Sequence, residues 1–265
     1  MKLALCVGIN QYRFSPDSTL RGCINDASKM RLFFHNEIGA ETPVVLTDFQ
    51  AEEQRIKDTL LDMREKALQG DVEAILYSHS SHGSNVPDRD GDEVDGLDEI
   101  LCATDIRDNG ETWSQGFIDD DWLYKFAYSL PGDTRLECFF DSCHSQTMLR
   151  EMGLTYGRAK ILLPPNPDFR KAPSKLLGNP QGRLPESVLW SGCDADSTSA
   201  DAYIDGRFQG AFTAALLYSI KGKDGELRTR SDTIYFARQW LRVNNYAQFP
   251  HLECLKGLAF KRIGE

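Results

Sequence analysis

The sequence has no apolar run approaching eighteen residues, no CxxC pair, no internal repeat and no low-complexity tract. The first absence leaves no candidate for a membrane-spanning helix. The apolar stretch 3–9 near the N-terminus is too short to supply a secretory signal and its cleavage site. Positive charge is also in deficit. Thirty Lys and Arg face forty Asp and Glu, for a formal net charge of −10. Binders of nucleic acid or of anionic membranes need a basic face, so neither partner is expected. A cationic substrate or a divalent metal suits this balance better. The seven cysteines (Cys6, Cys23, Cys102, Cys138, Cys143, Cys193, Cys254) are odd in number and scattered. Without an export signal they read as free thiols in a reducing, cytoplasmic setting, which leaves at least one available for chemistry.

What is present is the profile of one soluble α/β domain. Hydrophobic residues make up 41% and charged residues 26% of 265 positions, enough to bury a core without disulfides. Short apolar runs at 3–8, 43–47, 74–78, 135–140 and 188–191 predict strands. Helical periodicity predicts helices over 25–38, 51–69, 120–129, 211–220 and 233–243. A last strand is expected near Cys254 or over 258–261. This alternation implies a mainly parallel central sheet flanked by helices on both faces.

Two segments break the rhythm. Residues 88–99 hold seven carboxylates against Arg89 alone. Their spacing superficially fits a calcium-binding EF-hand loop, but Glu93 stands where that loop turns on glycine, and a strand precedes it, so that reading is rejected. Residues 152–186 hold six of the eleven prolines and six cations, Arg158, Lys160, Arg170, Lys171, Lys175 and Arg183, against two acids. They read as a long, mobile surface loop within a single domain, 1–265, dividing an N-terminal portion, residues 1–151, from a C-terminal portion, residues 187–265.

Ligand sites of open α/β sheets lie beyond the carboxyl ends of strands. Strand 74–78 runs out toward His79, His82 and Gly83, and strand 135–140 toward Asp141, Cys143 and His144. If the two are parallel neighbours, a thiol and an imidazole meet. A free thiol has a pKa near ~8.5, so a nearby base is needed to raise its small thiolate fraction. The chemistry is then acyl transfer from a peptide bond through a thioester, with the N–H groups of Gly83 and Cys143 as natural oxyanion donors. Two blander readings stand beside this one. Cys143 would be a buried structural thiol, or His79, His82, Cys143 and His144 would hold zinc.

The ordered set of motifs carries a further reading. Leu20-Arg21-Gly22-Cys23-Ile24-Asn25-Asp26, Ser80-Ser81-His82-Gly83, the acidic stretch 88–99, Phe117-Ile118-Asp119-Asp120-Asp121 and Asp141-Ser142-Cys143-His144-Ser145 resemble the metacaspases, relatives of the caspases. Ser191-Gly192-Cys193, Thr198-Ser199-Ala200-Asp201 and Gly210-Ala211-Phe212-Thr213 are similar to that family's C-terminal portion. The resemblance implies the caspase–haemoglobinase fold, with Cys143 as nucleophile and His82 as general acid/base. It places Cys23, Asp26, Ser80 and Asp141 in the primary specificity pocket. Two carboxylates there favour a cation, a unit pair at ~4 Å being worth about 4 kcal/mol at an effective dielectric near ~20, so cleavage after Arg or Lys is expected. The blander roles are a helix cap or first-turn acid for Asp26 and a strand-end turn former for Asp141.

The resemblance also implies a calcium site on Asp98, Asp119, Asp120 and a fourth carboxylate, seven residues after the nucleophile. That fourth position holds Arg150, with Glu151 beside it. Ser81 and Gln146 replace glycines of the family pattern. The six cations of 152–186 are the expected self-processing sites, and with no extension before the first strand a core lacking an N-terminal regulatory segment is expected. The rival from another class is a non-catalytic calcium-responsive or adaptor module on the same fold. Protein or peptide substrates with a basic residue before the scissile bond are the expected partners, and the oligomeric state is left open.

Overall fold

The computed structural model describes residues 1–88, 96–143, 157–166, 186–193 and 199–265. In chain order, β1 (Lys2–Gly8), α1 (Cys23–Asn36), β2 (Val44–Thr47), α2 (Glu53–Leu68) and β3 (Ala74–Ser80) build the first half of a sheet with its crossovers. A small antiparallel unit follows, β4 (Gly83–Pro87), β5 (Leu97–Asp108) and β6 (Trp113–Asp119), and then α3 (Asp120–Tyr128) and β7 (Arg135–Asp141). The remainder is β8 (Arg158–Ala159), β9 (Ser187–Ser191), β10 (Ala200–Ile204), β11 (Arg207–Gly210), α4 (Ala211–Ser219), α5 (Arg230–Val243), β12 (His251–Cys254) and α6 (Lys256–Ala259).

The central sheet has the order β12-β9-β7-β3-β1-β2, and every pairing except β9 with β12 is parallel. Its inner strands are buried on both faces, which is why they read as continuous apolar runs. Side chains alternate between two cores. Leu3, Leu5, Val7, Ile75 and Tyr77 pack on one face with Ile56, Leu60 and Met63 of α2 and Leu123 of α3. Ala4, Cys6, Leu76, Phe139 and Trp190 pack on the other with Met30 and Phe34 of α1 and Phe212 and Leu216 of α4. The i, i+4, i+7 spacing of Ile56, Leu60 and Met63 is the apolar stripe that makes α2 a helix and docks it. Asp119 ends β6 and starts α3, its Oδ1 accepting from the N–H of Trp122 at 2.7 Å.

The expected fold is present, and the structure adds the antiparallel strands β4–β6 and β10–β11 to it. The unit β4–β6 was not foreseen, because β5 carries Asp98 and Glu99 inside an acidic stretch that reads as a solvated loop; both acids are buried. Residues 157–166, assigned to a mobile surface loop, are instead packed against the carboxyl end of the sheet; β8 pairs with β10, and Lys160, Ile161 and Leu162 are buried. Of the two places expected for the last strand, the one at Cys254 is occupied, by 251–254, and 256–259 is a helical turn.

Candidate active site

Strands β3 and β7 are parallel neighbours in a register that sets Ser80 opposite Asp141. Two residues beyond each pair lie His82 and Cys143, both buried. The backbone N–H of His82 donates to the Tyr12 hydroxyl at 2.8 Å, and the two rings lie 5.2 Å apart. Its Nε2 lies 2.7 Å from the Ser18 carbonyl. A carbonyl only accepts, so Nε2 carries the proton and Nδ1 is left as the basic nitrogen. Nδ1 is buried and has no hydrogen-bond partner among the described residues. Burial pushes the His82 imidazole down to about 4, against the pull of the Ser18 carbonyl, and the nearby cations Arg158 and Lys160 push the same way as burial. The ring is therefore neutral at pH 7.

The N–H groups of Gly83 and Cys143 converge on a single oxygen, the carbonyl of Lys160, at 3.0 and 3.1 Å. Lys160 arrives in extended backbone. Arg158 and Ala159 pair with Asp201 and Ala200, the Lys160 N–H donates to the Ser199 carbonyl at 2.9 Å, and the Leu162 N–H to the Gly83 carbonyl at 2.9 Å. The segment thus adds a strand to the lip of the site, a mode in which main-chain bonds hold a peptide irrespective of its side chains.

The Lys160 side chain fills the expected pocket and is fully buried. Its Nζ lies 3.0 Å from Oδ2 of Asp26, 2.8 Å from Oγ of Ser80 and 3.2 Å from Oδ1 of Asp141. Each carboxylate is held from behind. Asp26 accepts from the Ser80 hydroxyl at 2.7 Å and from the Gly210 N–H at 2.9 Å. Asp141 accepts from the N–H and hydroxyl of Thr213 at 2.9 and 2.7 Å and from the Ser199 hydroxyl at 2.6 Å. Burial alone would lower the affinity of the Lys160 amine for its proton, but Asp141 and Asp26 hold it well above the usual lysine value. Burial raises Asp26, Lys160 pulls it back, and the neighbouring Asp141 raises it again. Cys23, the fourth expected pocket residue, is buried at the start of α1, and burial pushes its thiol up. Asp26 does stand in the first turn of α1, but its side chain serves the pocket rather than a cap.

Several contributors carry no sequence signal of their own. Tyr12 and Ser18 hold His82 from a loop without periodicity. Ser199, Gly210 and Thr213 fall in motifs quoted above but had no stated role. A Cβ on Gly210 would collide with Oδ2 of Asp141 and Nζ of Lys160, so only glycine fits there. Asp201 supplies a further buried acid, its Oδ2 accepting from the Arg21 N–H at 2.7 Å. Cys193 joins Cys143 and Ile161 in a small apolar cluster.

The expected metal ligands behave differently. Asp119 is engaged in capping α3, while Asp98 and Asp120 are buried on β5 and at the start of α3. Among the described residues no group of three or more His, Cys, Asp or Glu side chains could hold a metal ion. Among the described residues neither Asp98, Asp119 and Asp120 nor His79, His82 and Cys143 form such a group. The Nδ1 of His79 is engaged by the Tyr77 hydroxyl at 2.6 Å. His144, Gln146, Arg150 and Glu151 lie outside the described residues, as do Arg170, Lys171, Lys175 and Arg183.

This fold is that of the caspases. The crystal structure of caspase-1 from Spodoptera frugiperda superposes with a TM-score of 0.57 at 12% identity, covering 100% of this chain and 91% of that one. The crystal structure of protein GSU0716 from Geobacter sulfurreducens superposes with a TM-score of 0.71 at 23% identity, covering 99% and 98%. The family described as metacaspase, peptidase C14 domain, matches residues 2–152. Metacaspase-1B of Aspergillus oryzae is 30% identical over 95% of this chain and 67% of its own length, and metacaspase-1 of Pyricularia oryzae 29% over 95% and 71%. The chain belongs to the metacaspase family and is a cysteine-type endopeptidase.

Proposed function

We propose that this metacaspase cleaves peptide bonds after Lys or Arg, with Cys143 as nucleophile and His82 as acid/base, and that the bond it meets first is its own, Lys160–Ile161. One observation carries this reading. The carbonyl of Lys160 accepts from Gly83 and Cys143 while its ammonium sits on Asp26 and Asp141. That is the posture of a substrate held on both sides of a scissile bond.

The chemistry follows from the residues. Neutral His82 takes the thiol proton of Cys143 at Nδ1, and the thiolate attacks the carbonyl carbon. The oxygen gains charge while the Gly83 and Cys143 N–H groups already point at it. The C–N bond breaks as the imidazolium hands its proton to the departing amine. Water, deprotonated by His82, then opens the thioester and releases a carboxylate and the thiol. Asp26 and Asp141 select a cation, since an uncharged side chain there would leave two buried carboxylates unpaired.

Calcium is proposed as an activator acting through Asp98, Asp119 and Asp120. A reducing, cytoplasmic setting is proposed from the cysteines, all of which are free. The rival adaptor reading draws on the same plug, because a fully buried Lys160 would also close the site for good.

The test is hydrolysis of fluorogenic peptides ending in Arg, Lys or Asp by wild-type protein, Cys143→Ala and Lys160→Ala, each with calcium and with chelator. Mass spectrometry of the wild type should find a new N-terminus at Ile161. Turnover of Arg and Lys peptides that is absent in Cys143→Ala is the expected result. No turnover in any arm, Lys160→Ala included, would favour the adaptor.

A further inference from the structure

The segment over the site touches the protein well beyond Lys160. On the amino side, Ala159 packs against the cluster of Cys143, Ile161 and Cys193. The Arg158 guanidinium donates to two main-chain carbonyls, Thr19 at 2.5 Å and Asp17 at 2.6 Å. Beyond it opens a cleft of about 640 Å³ lined by Thr19, Arg21, Asp201 and Phe208 together with Gly157 and Arg158 themselves. On the carboxyl side, Ile161 is buried against Cys143 and Cys193, and its backbone makes a parallel bridge with Gly83. Leu162 is buried in the larger core beneath β4 and β5. Leu163, the next residue, is exposed.

We infer that the groove reads five residues of a protein substrate: a guanidinium two positions before the scissile Lys or Arg, a small residue between them, and two apolar residues after the cut. This rests on the reading that Lys160 lies as a substrate residue does. The chemistry of each position is distinct. Two carbonyls offer acceptors and no donor, so they favour a side chain rich in N–H groups and disfavour a carboxylate. The position between is half-buried against the nucleophile's own apolar cluster, which favours a small apolar side chain there. The two positions after the cut are dry, and a charge placed there loses its hydration without gaining a partner. The main chain is gripped on both sides of the bond by Ser199 and Gly83, so these side chains are presented in fixed register.

The experiment uses full-length Lys160→Ala protein, with Lys160→Gln as a second variant if the first does not fold. An internally quenched peptide copying residues 157–163 is compared with four relatives. These carry Glu at the position of Arg158, Ala at that of Lys160, Asp at that of Ile161 or Asp at that of Leu162. The inference expects kcat/KM to fall about tenfold or more for the Glu and both Asp peptides. Equal kcat/KM across those three, with cleavage still lost for the Ala peptide, would overturn the inference and leave basic specificity standing. If no peptide is cut by this variant or by wild-type protein, the proteolytic reading fails, and anisotropy with labelled peptides on Cys143→Ala/Lys160→Ala protein decides the groove. Weaker binding of the Glu and Asp peptides than of the parent supports it; equal binding, or none, overturns it.

Discussion

Oδ1 of Asp141 lies 3.2 Å from Nζ of Lys160, while the other oxygen of the same carboxylate is held by both donors of Thr213. The acid is therefore aimed before any cation arrives, and losing it leaves Asp26 as the one carboxylate in contact with the Lys160 ammonium. Asp141→Asn should lower kcat/KM for Lys and Arg peptides at least about 100-fold, as expected when one partner of a buried charge pair is removed. Steady-state kinetics on soluble, folded variant checks this. A loss of less than about threefold would remove Asp141 from the specificity pocket.

Protonation of His82 ties stability to pH. Its value is about 4 in the folded protein against 6.5 in the unfolded chain, with burial as the main cause. Between those values the unfolded chain binds a proton that the native state refuses. Stability therefore falls as pH drops from about 6.5 to about 4, by about 3 kcal/mol for this group. Urea midpoints of wild type and His82→Asn, measured at pH 7 and pH 4.5, should show a steeper acid loss in the wild type. Parallel losses would contradict the assignment.

Gly210 stands where a methyl group would collide with both Asp141 and Lys160. Gly210→Ala should cost about 1–3 kcal/mol through overpacking and abolish turnover of basic peptides by displacing the acids. Thermal melting and peptide hydrolysis report the two effects separately. An active, unperturbed variant would mean that the pocket relaxes more freely than its hydrogen bonds indicate.

Arg230 and Glu137 form a fully buried bidentate pair at 2.8 and 2.7 Å, and Trp190 adds a third bond to the same carboxylate. Arg230 also donates to the carbonyls of Leu258 and Glu265, tying α5 to the segment around α6. Removing one partner strands a buried charge, so Glu137→Ala should cost about 3–5 kcal/mol. The urea midpoint checks this, and Arg230→Met paired with Glu137→Leu should recover part of the loss.

How far these features were legible depended on what surrounds each residue. The parallel strands could be read because both of their faces are buried, leaving unbroken apolar runs such as 3–8. The helix α2 could be read because one face repeats at helical spacing. The antiparallel unit β4–β6 could not, since Asp98 and Glu99 in β5 mimic a solvated loop and their burial depends on residues far along the chain. Asp26 and Asp141 were singled out only through ordered resemblance; locally each also fits a helix start or a turn. Lys160 was one of six cations in a proline-rich stretch with no period. Its place in the pocket depends on the pairing of Arg158 and Ala159 with a strand some forty residues later, and nothing local encodes that.

Strand β9 lies on the far side of the Lys160 segment in sequence, yet it is stitched to β7 from Leu136 to Phe140 and flanked by β12. Trp190 of β9 reaches across to Glu137 of β7 as well. Severing the bond after Lys160 therefore cuts a tether and leaves the seam whole. The two pieces should sediment and elute as one particle and separate only in denaturant. A cut there would be recorded in the covalent connectivity alone, while the outline of the particle stays the same.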